Sequence, residues 1–204
     1  MKLVIVGTGY VGLVSGLCFA EFGFQTVCVD KDKEKIAKLE QGISPFFEPG
    51  IEELLSKHIR STKLFSLSND LEESLKEVKV IFITVGTPSR RLEDEADLTY
   101  VYEVAKEISN YINNYCLVVT KSTVPVGTTR KIKEIISKKI SSDLFDVVSN
   151  PEFLREGAAI NDFMRPDRIV IGTENIKSEN IMKEIYRPLY LLETPIVFTT
   201  IESA

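Results

Sequence analysis

Residues 2–30, KLVIVGTGYVGLVSGLCFAEFGFQTVCVD, decide the fold. A β-rich apolar run, Lys2 to Val6, passes directly into Gly7-Thr8-Gly9-Tyr10-Val11-Gly12, which opens a stretch of helical period. A second β-rich run then ends on Asp30, 18 residues after Gly12. Gly7 permits the tight turn, Gly9 removes a side chain that would block a pyrophosphate, and Gly12 lets helix and strand approach closely. The free amides and positive end of that helix then face phosphates. Asp30 would accept hydrogen bonds from adenosine ribose hydroxyls and repel a 2′-phosphate, selecting NAD over NADP, an inference that Lys31 and Lys35 soften. Glycine turns are common, so a purely structural turn is the competing reading; strand, fingerprint, helix, second strand and terminal acid in register favour a dinucleotide.

The pattern continues outward. Strand-like runs recur at Gln25 to Val29, Val80 to Val85, Leu117 to Thr120, Asp146 to Ser149, Arg168 to Ile171 and Pro195 to Phe198, with Leu64 to Leu67 a further candidate. Helical patterns fill the gaps: Val11 to Phe22, Lys33 to Gln41, Ile51 to Lys57, Leu71 to Lys76, Thr99 to Ile112, Gly127 to Ile140 and Ser178 to Tyr190. Runs such as LVIV and VIFITV lack a polar face, as strands do when helices cover a parallel sheet on both sides. The expected fold is α/β, a doubly wound, mainly parallel sheet of Rossmann type. One unit is expected over 1–204, with 1–150 the core dinucleotide fold and 151–204 extending the same sheet.

Composition sets the outer limits. The chain has 204 residues, 44% hydrophobic and 27% charged, which is globular. At this length folding buries roughly 70% of the surface of the unfolded chain, enough for a core without staples. Interspersed charges and a net charge of −5 disfavour a nucleic-acid partner. No run suggests a membrane span or a secretory signal, and no metal site is expected. Cys18, Cys28 and Cys116 lie in separate apolar segments and read as buried hydrophobes in a reducing cytoplasm, the expected location. His58, flanked by Lys57 and Arg60, reads as a solvated surface histidine.

In such sheets ligands bind beyond the carboxyl ends of the strands, so the loops there carry the chemistry. Gly86-Thr87-Pro88-Ser89, heading a polar stretch to Asp97, is either a strand terminator or places Thr87 beside a cofactor. Lys121 to Thr129, KSTVPVGTT, reads first as a capped helix start. Asn150 to Gly157, NPEFLREG, sets Glu152 and Glu156 four apart on the ligand edge. They share a face if the stretch is helical, and a solvated charged turn is the alternative.

Taken together, GTGYVGL, VDKDKEKI, the P-x-x-EPG of Pro45 to Gly50, VGTPS, KSTVPVGTT, NPEFLREG and PDRIVIG resemble the NAD-binding domain of the UDP-glucose/GDP-mannose dehydrogenase family, over essentially the whole chain. In that family the C6 alcohol of a nucleotide sugar, UDP-glucose in the branch resembled more closely, is oxidised twice to a carboxylate with two NAD⁺. The product of that branch, UDP-glucuronate, feeds polysaccharide synthesis. The resemblance implies NAD contacts from Gly7, Gly9, Tyr10, Val11, Gly12, Asp30, Lys35, Thr87, Thr123 and Glu156. It implies a water-orienting catalytic pair, Thr123 and Glu152, a role for which a carboxylate beside a hydroxyl is chemically suited. It also implies a substrate loop of Glu152, Phe153, Leu154, Arg155 and Glu156, in which Arg155 either faces the sugar nucleotide or pairs with a neighbour.

The family's connecting helix, with its substrate lysine and asparagine, and its cysteine-bearing second domain have no counterpart here. The chain alone is therefore expected to bind NAD without turning over UDP-glucose, and a homodimer is expected only for the complete enzyme. GDP-mannose or another nucleotide sugar, a short hydroxyacid dehydrogenase of the 6-phosphogluconate type and a non-catalytic NAD-sensing module are the competing readings. NPEFLREG argues against the hydroxyacid type.

Overall fold

The first strand already dictates layers above and below it. In the computed structural model, β1 (Lys2–Val6) sends Leu3 and Ile5 into one apolar cluster and Val4 and Val6 into another, and all four are buried. Alternate residues point to opposite faces, so both faces need cover, which helices supply in a parallel sheet. The structure describes residues 1–88 and 96–204. The remaining strands are β2 (Gln25–Val29), β3 (Phe65–Ser68), β4 (Val80–Ile83), β5 (Cys116–Thr120), β6 (Phe145–Ser149), β7 (Ile169–Gly172) and β8 (Ile196–Thr199).

They form one sheet in the order β3-β2-β1-β4-β5-β6-β7-β8. The first six run parallel, and the order reverses between β1 and β4. β7 joins β6 antiparallel through the register pair Ser149 and Gly172, and β8 runs parallel to β7. The expected doubly wound, mainly parallel sheet with added strands is what forms.

The helices are α1 (Tyr10–Glu21), α2 (Lys33–Glu40), α3 (Ile51–Lys57), α4 (Leu71–Ser74), α5 (Thr99–Ile108), α6 (Thr128–Ser137), α7 (Ala159–Met164) and α8 (Ile176–Tyr186). Three start on side-chain caps: Asp32 accepts from the Lys35 amide at 3.0 Å, Asp70 from the Glu73 amide at 3.0 Å and Asn175 from the Lys177 amide at 2.9 Å. Helix α8 stops before the expected Tyr190 because Pro188 has no N–H to donate, and the chain continues as a 3₁₀ segment, Arg187–Leu192. Helix α7 lies outside the helical patterns that the sequence displays.

His58 departs from the expectation of a solvated histidine: it is 1% exposed. A π-helical turn, His58–Thr62, swings the ring under the surface, where Nε2 meets Glu21 Oε1 at 2.7 Å and Nδ1 meets Thr62 Oγ1 at 2.8 Å. Burial alone would raise the Glu21 carboxyl, yet hydrogen bonds from Lys57 and His58 outweigh it and hold the group below its ordinary range. Glu21→Ala should destabilise the chain by about 1–3 kcal/mol, the scale of a buried polar group left without its partner. Glu21→Gln, which keeps an acceptor oxygen, should lose less. Urea unfolding followed by circular dichroism measures both, and equal losses would refute the account.

All three cysteines are free and buried. Burial pushes each thiol upward, that of Cys116 to about 12, which keeps them protonated. Among the described residues no helix is long and apolar enough to cross a membrane, and no group of acidic, histidine and cysteine side chains could hold a metal ion.

Candidate functional site

The turn from β1 into α1 is held by contacts that only glycine allows. Gly7 has φ +107, where L side chains are strained, and its amide donates to Val29 O at 2.8 Å. Thr84, just past β4, donates its hydroxyl to Val6 O at 2.9 Å and Gly7 O at 3.0 Å. A Cβ on Gly12 would stand 1.9 Å from Gly7 O and 2.5 Å from Thr84 Oγ1. A Cβ on Gly9 would meet nothing within 4 Å. The first two close approaches are internal, whereas Gly9 leaves open space above a helix start with no side-chain cap. That combination of bare backbone, uncapped amides and open volume suits a diphosphate, so the residues fit the dinucleotide the sequence implies.

Asp30 stands beside this turn. Its Oδ2 accepts from the Thr8 amide at 3.0 Å, the Thr8 hydroxyl at 2.6 Å and Lys35 Nζ at 2.8 Å, and its Oδ1 accepts from the Asp32 amide at 3.1 Å. Burial would raise this carboxyl, but those donors prevail and hold it at about 2. Oδ2 is saturated while Oδ1 retains acceptor capacity, so a ribose hydroxyl would approach Oδ1. A cavity of about 370 Å³ opens here, lined by Gly7, Gly9, Asp30, Lys35, Val85 and Tyr100 among others. Lys31 Nζ sits 5.1 Å from the Tyr100 ring centroid at its rim.

Tyr10 opens α1 beside the glycine turn, and its side chain reaches away to a second loop. Its hydroxyl donates to the buried Glu48 and accepts from the Gly157 amide at 2.9 Å. Glu48 also accepts from the Gly157 amide at 2.9 Å and the Ile160 amide at 3.3 Å, so it ties the loop 45–50 to the loop after β6. Burial, then the Glu48 hydrogen bond, push the Tyr10 phenol up to about 12. Glu156 is exposed, and its charge adds to that rise. Val11 is half-buried within α1.

The loops after β4 and β5 are joined, because Thr87 Oγ1 donates to Thr123 O at 3.1 Å and Ser122 Oγ donates to Val85 O at 2.8 Å. Ser89, the last residue of the Gly-Thr-Pro-Ser turn, lies outside the described residues, as does most of the polar stretch to Asp97. Strands β5 and β6 pair Thr120 with Ser149, so Thr123 and Glu152 each stand three residues past partners in register. Thr123 is exposed there, and Glu152 is half-buried with its carboxylate on the Leu154 amide.

The stretch 151–155 is not helical, and Pro151 and Gly157, the latter at φ +84, bound a loop and turn. Glu152 and Glu156 therefore do not share a helix face. Arg155 resolves to an ion pair: its Nε and Nη2 donate to the two Asp162 oxygens at 3.0 and 2.7 Å, and its amide donates to Oδ2 at 3.0 Å. Phe153 is exposed, with the Arg168 guanidinium 5.1 Å from its ring centroid. Glu152, Phe153, Leu154 and Arg155 line a second cavity of about 470 Å³, whose wall includes Lys121 and Tyr186. Glu48, Lys121, Asn150 and Tyr186 were not singled out from the sequence. Glu48, Lys121 and Asn150 lie within motifs the sequence displays, P-x-x-EPG, KSTVPVGTT and NPEFLREG, whereas Tyr186 carries no such signal.

A family model described as the NAD binding domain of the UDP-glucose/GDP-mannose dehydrogenase family matches residues 1–190. The chain is 52% identical over 202 residues to a UDP-glucose 6-dehydrogenase of Rhizobium meliloti (strain 1021), covering 98% of this chain and 46% of that protein. It is 45% identical over 204 residues to UDP-glucose 6-dehydrogenase TuaD of Bacillus subtilis (strain 168), covering 100% and 43% respectively. Among solved structures, a UDP-glucose dehydrogenase from Pyrobaculum islandicum superposes with a TM-score of 0.92 at 34% identity, over 99% of this chain and 46% of its own. A ternary complex of GDP-mannose dehydrogenase from Pseudomonas aeruginosa gives 0.90 at 36% identity, over 100% and 47%. The chain thus spans about half the length of the curated relatives it matches.

Proposed function

Since the chain belongs to the UDP-glucose/GDP-mannose dehydrogenase family as its NAD-binding domain, we propose that it works as the coenzyme half of a cytoplasmic enzyme oxidising UDP-glucose to UDP-glucuronate. The observation that carries this reading is the cradle at Gly7, Gly9 and Gly12 with Asp30 beside it. The 204 residues would act as one unit, 151–204 extending the sheet of 1–150.

When bound, NAD⁺ accepts a hydride from the sugar's C6. The residues of this chain bind and orient. Amides at the start of α1 would hold the diphosphate over the bare Gly9, with Val11 in the same turn, and Asp30, with Lys35 on its other oxygen, would take the adenosine ribose. Thr87 and Thr123, already joined across their loops, would hold the nicotinamide end. Glu156 would add a contact to the coenzyme. Glu152, which like Thr123 stands three residues past a strand partner in register, would hold and polarise a water near the reacting carbon, taking its proton as a general base. Phe153, Leu154 and Arg155 wall the sugar-nucleotide side. Tyr10, bonded to Glu48 and Gly157, couples the coenzyme turn to that wall. A homodimer of the complete enzyme is part of the same reading.

Fluorescence titration tests the coenzyme half. NADH should bind the chain saturably, with NADPH weaker by roughly tenfold or more because Asp30 faces its 2′-phosphate. Absence of saturable binding would refute the proposal. The substrate half is tested by UDP-glucose-dependent absorbance at 340 nm in the complete enzyme carrying this chain, with GDP-mannose as the competing substrate.

A further inference from the structure

Lys121 follows β5 directly and is 4% exposed. Its ammonium lies 3.5 Å from Asn150 Oδ1, 3.4 Å from the Tyr186 hydroxyl and 5.4 Å from the Phe163 ring centroid. Those partners are themselves fixed: Tyr186 donates to Asn150 Oδ1 at 2.6 Å, and Asn150 Nδ2 donates to Val170 O at 2.9 Å. An ammonium has three donors, and here they meet two long contacts and a ring face. Among the described residues no ion pair forms on it.

A buried cation so weakly held is unfavourable unless another charge answers it. The carboxylate acting on it most strongly is Glu152, which lines the same 470 Å³ cavity. The other groups facing it are the Cys18 thiol from α1, kept neutral by burial, and the Tyr186 phenol from α8, while Asp162 on α7 is taken by Arg155.

We propose that Lys121 is a positioning residue for Glu152: seated on Asn150 and Tyr186 beneath the loop 151–155, its ammonium is the buried counter-charge that holds the Glu152 carboxylate toward the cavity. This rests on the reading of Glu152 as the water-holding carboxylate and adds a third member to its pair with Thr123. Burial lowers the ammonium to about 8, so its charge is present below that pH and withdrawn above it, which gives the arrangement an alkaline limit.

The test is NMR on the chain labelled with ¹³C and ¹⁵N at lysine and glutamate. The Lys121 ε-methylene is identified by its loss in Lys121→Met or, should that variant not fold, by the ring-current shift that disappears in Phe163→Leu. Its titration midpoint should lie near pH 8 and fall by about half a unit or more in Glu152→Gln, which keeps an acceptor for the Leu154 amide but removes the charge. The Glu152 ¹³Cδ resonance should move with the same midpoint in the parent. A Lys121 midpoint unmoved by Glu152→Gln, or one at the ordinary lysine value, overturns the proposal. NADH titration of the same samples judges the coenzyme reading separately, since it does not depend on Lys121.

Discussion

Alanine at position 12 should destabilise the chain by about 1–3 kcal/mol, the usual penalty for forcing atoms into a filled space, and should abolish NADH binding. Alanine at position 9 should leave stability almost unchanged and still weaken NADH. Both glycines belong to one fingerprint, but what a methyl would meet differs. At Gly12 it would lie 1.9 Å from Gly7 O, so the turn itself must move and release the Thr84 hydroxyl that clamps it. Helix propensity favours alanine there by about 1 kcal/mol, too little to offset that clash.

Gly9 has φ −72 and ψ −171, which alanine adopts freely, and open space around it. Its methyl would intrude only where the diphosphate lies. Losing one or two amide contacts to a charged group, about 1.5–3 kcal/mol each, corresponds to a fall in affinity of at least tenfold. Urea unfolding and NADH fluorescence on both variants separate fold from binding. Gly9→Ala with parental affinity would place the diphosphate elsewhere.

These two glycines also mark what could be read without coordinates. Gly7, Gly9, Gly12 and Asp30 act through backbone turns and a neighbouring parallel strand, so local spacing carries their geometry. The sheet was legible for the same reason: β1 and β4 are apolar on both faces, which only helices on both sides explain.

What depended on distant partners was not legible. His58 sits among charged neighbours in sequence, yet its partner Glu21 is 37 positions away. Lys121 reads as a helix-start residue until Tyr186, 65 positions on, roofs it over. Tyr10 adjoins the fingerprint, but its hydroxyl is claimed by Glu48, 38 positions away. The same limit applied to Arg155, whose ion-pair partner Asp162 sits on α7, a helix outside the patterns the sequence displays.

Replacing Asp30 with alanine should weaken NADH by roughly 10- to 100-fold, the scale of a charged hydrogen bond, and narrow the gap to NADPH by removing the charge that opposes a 2′-phosphate. The same substitution should change acid stability in a defined direction. The carboxyl stands at about 2 in the folded chain against an ordinary 3.8, and its side chain is only 12% exposed. A depressed folded value means that Asp30 stabilises the fold fully above the unfolded value, and that this stabilisation fades as pH falls from near 4 toward 2.

The shift corresponds to about 2 kcal/mol at neutral pH. Asp30→Asn should therefore lose about that much at pH 7 and only about a few tenths of a kcal/mol at pH 2, where the parent carboxyl is half protonated. Oδ1, with a single protein donor, is the oxygen left for a ribose hydroxyl, whereas Lys35 occupies Oδ2. Lys35→Met should thus weaken NADH less than Asp30→Ala does, because it removes a neighbour of the acceptor and leaves the acceptor itself. Acid unfolding followed by circular dichroism, paired with NADH titration at pH 7, reads both effects. A stability difference between parent and Asp30→Asn that persists unchanged at pH 2 would show that Thr8 and Lys35 do not hold this carboxylate as described.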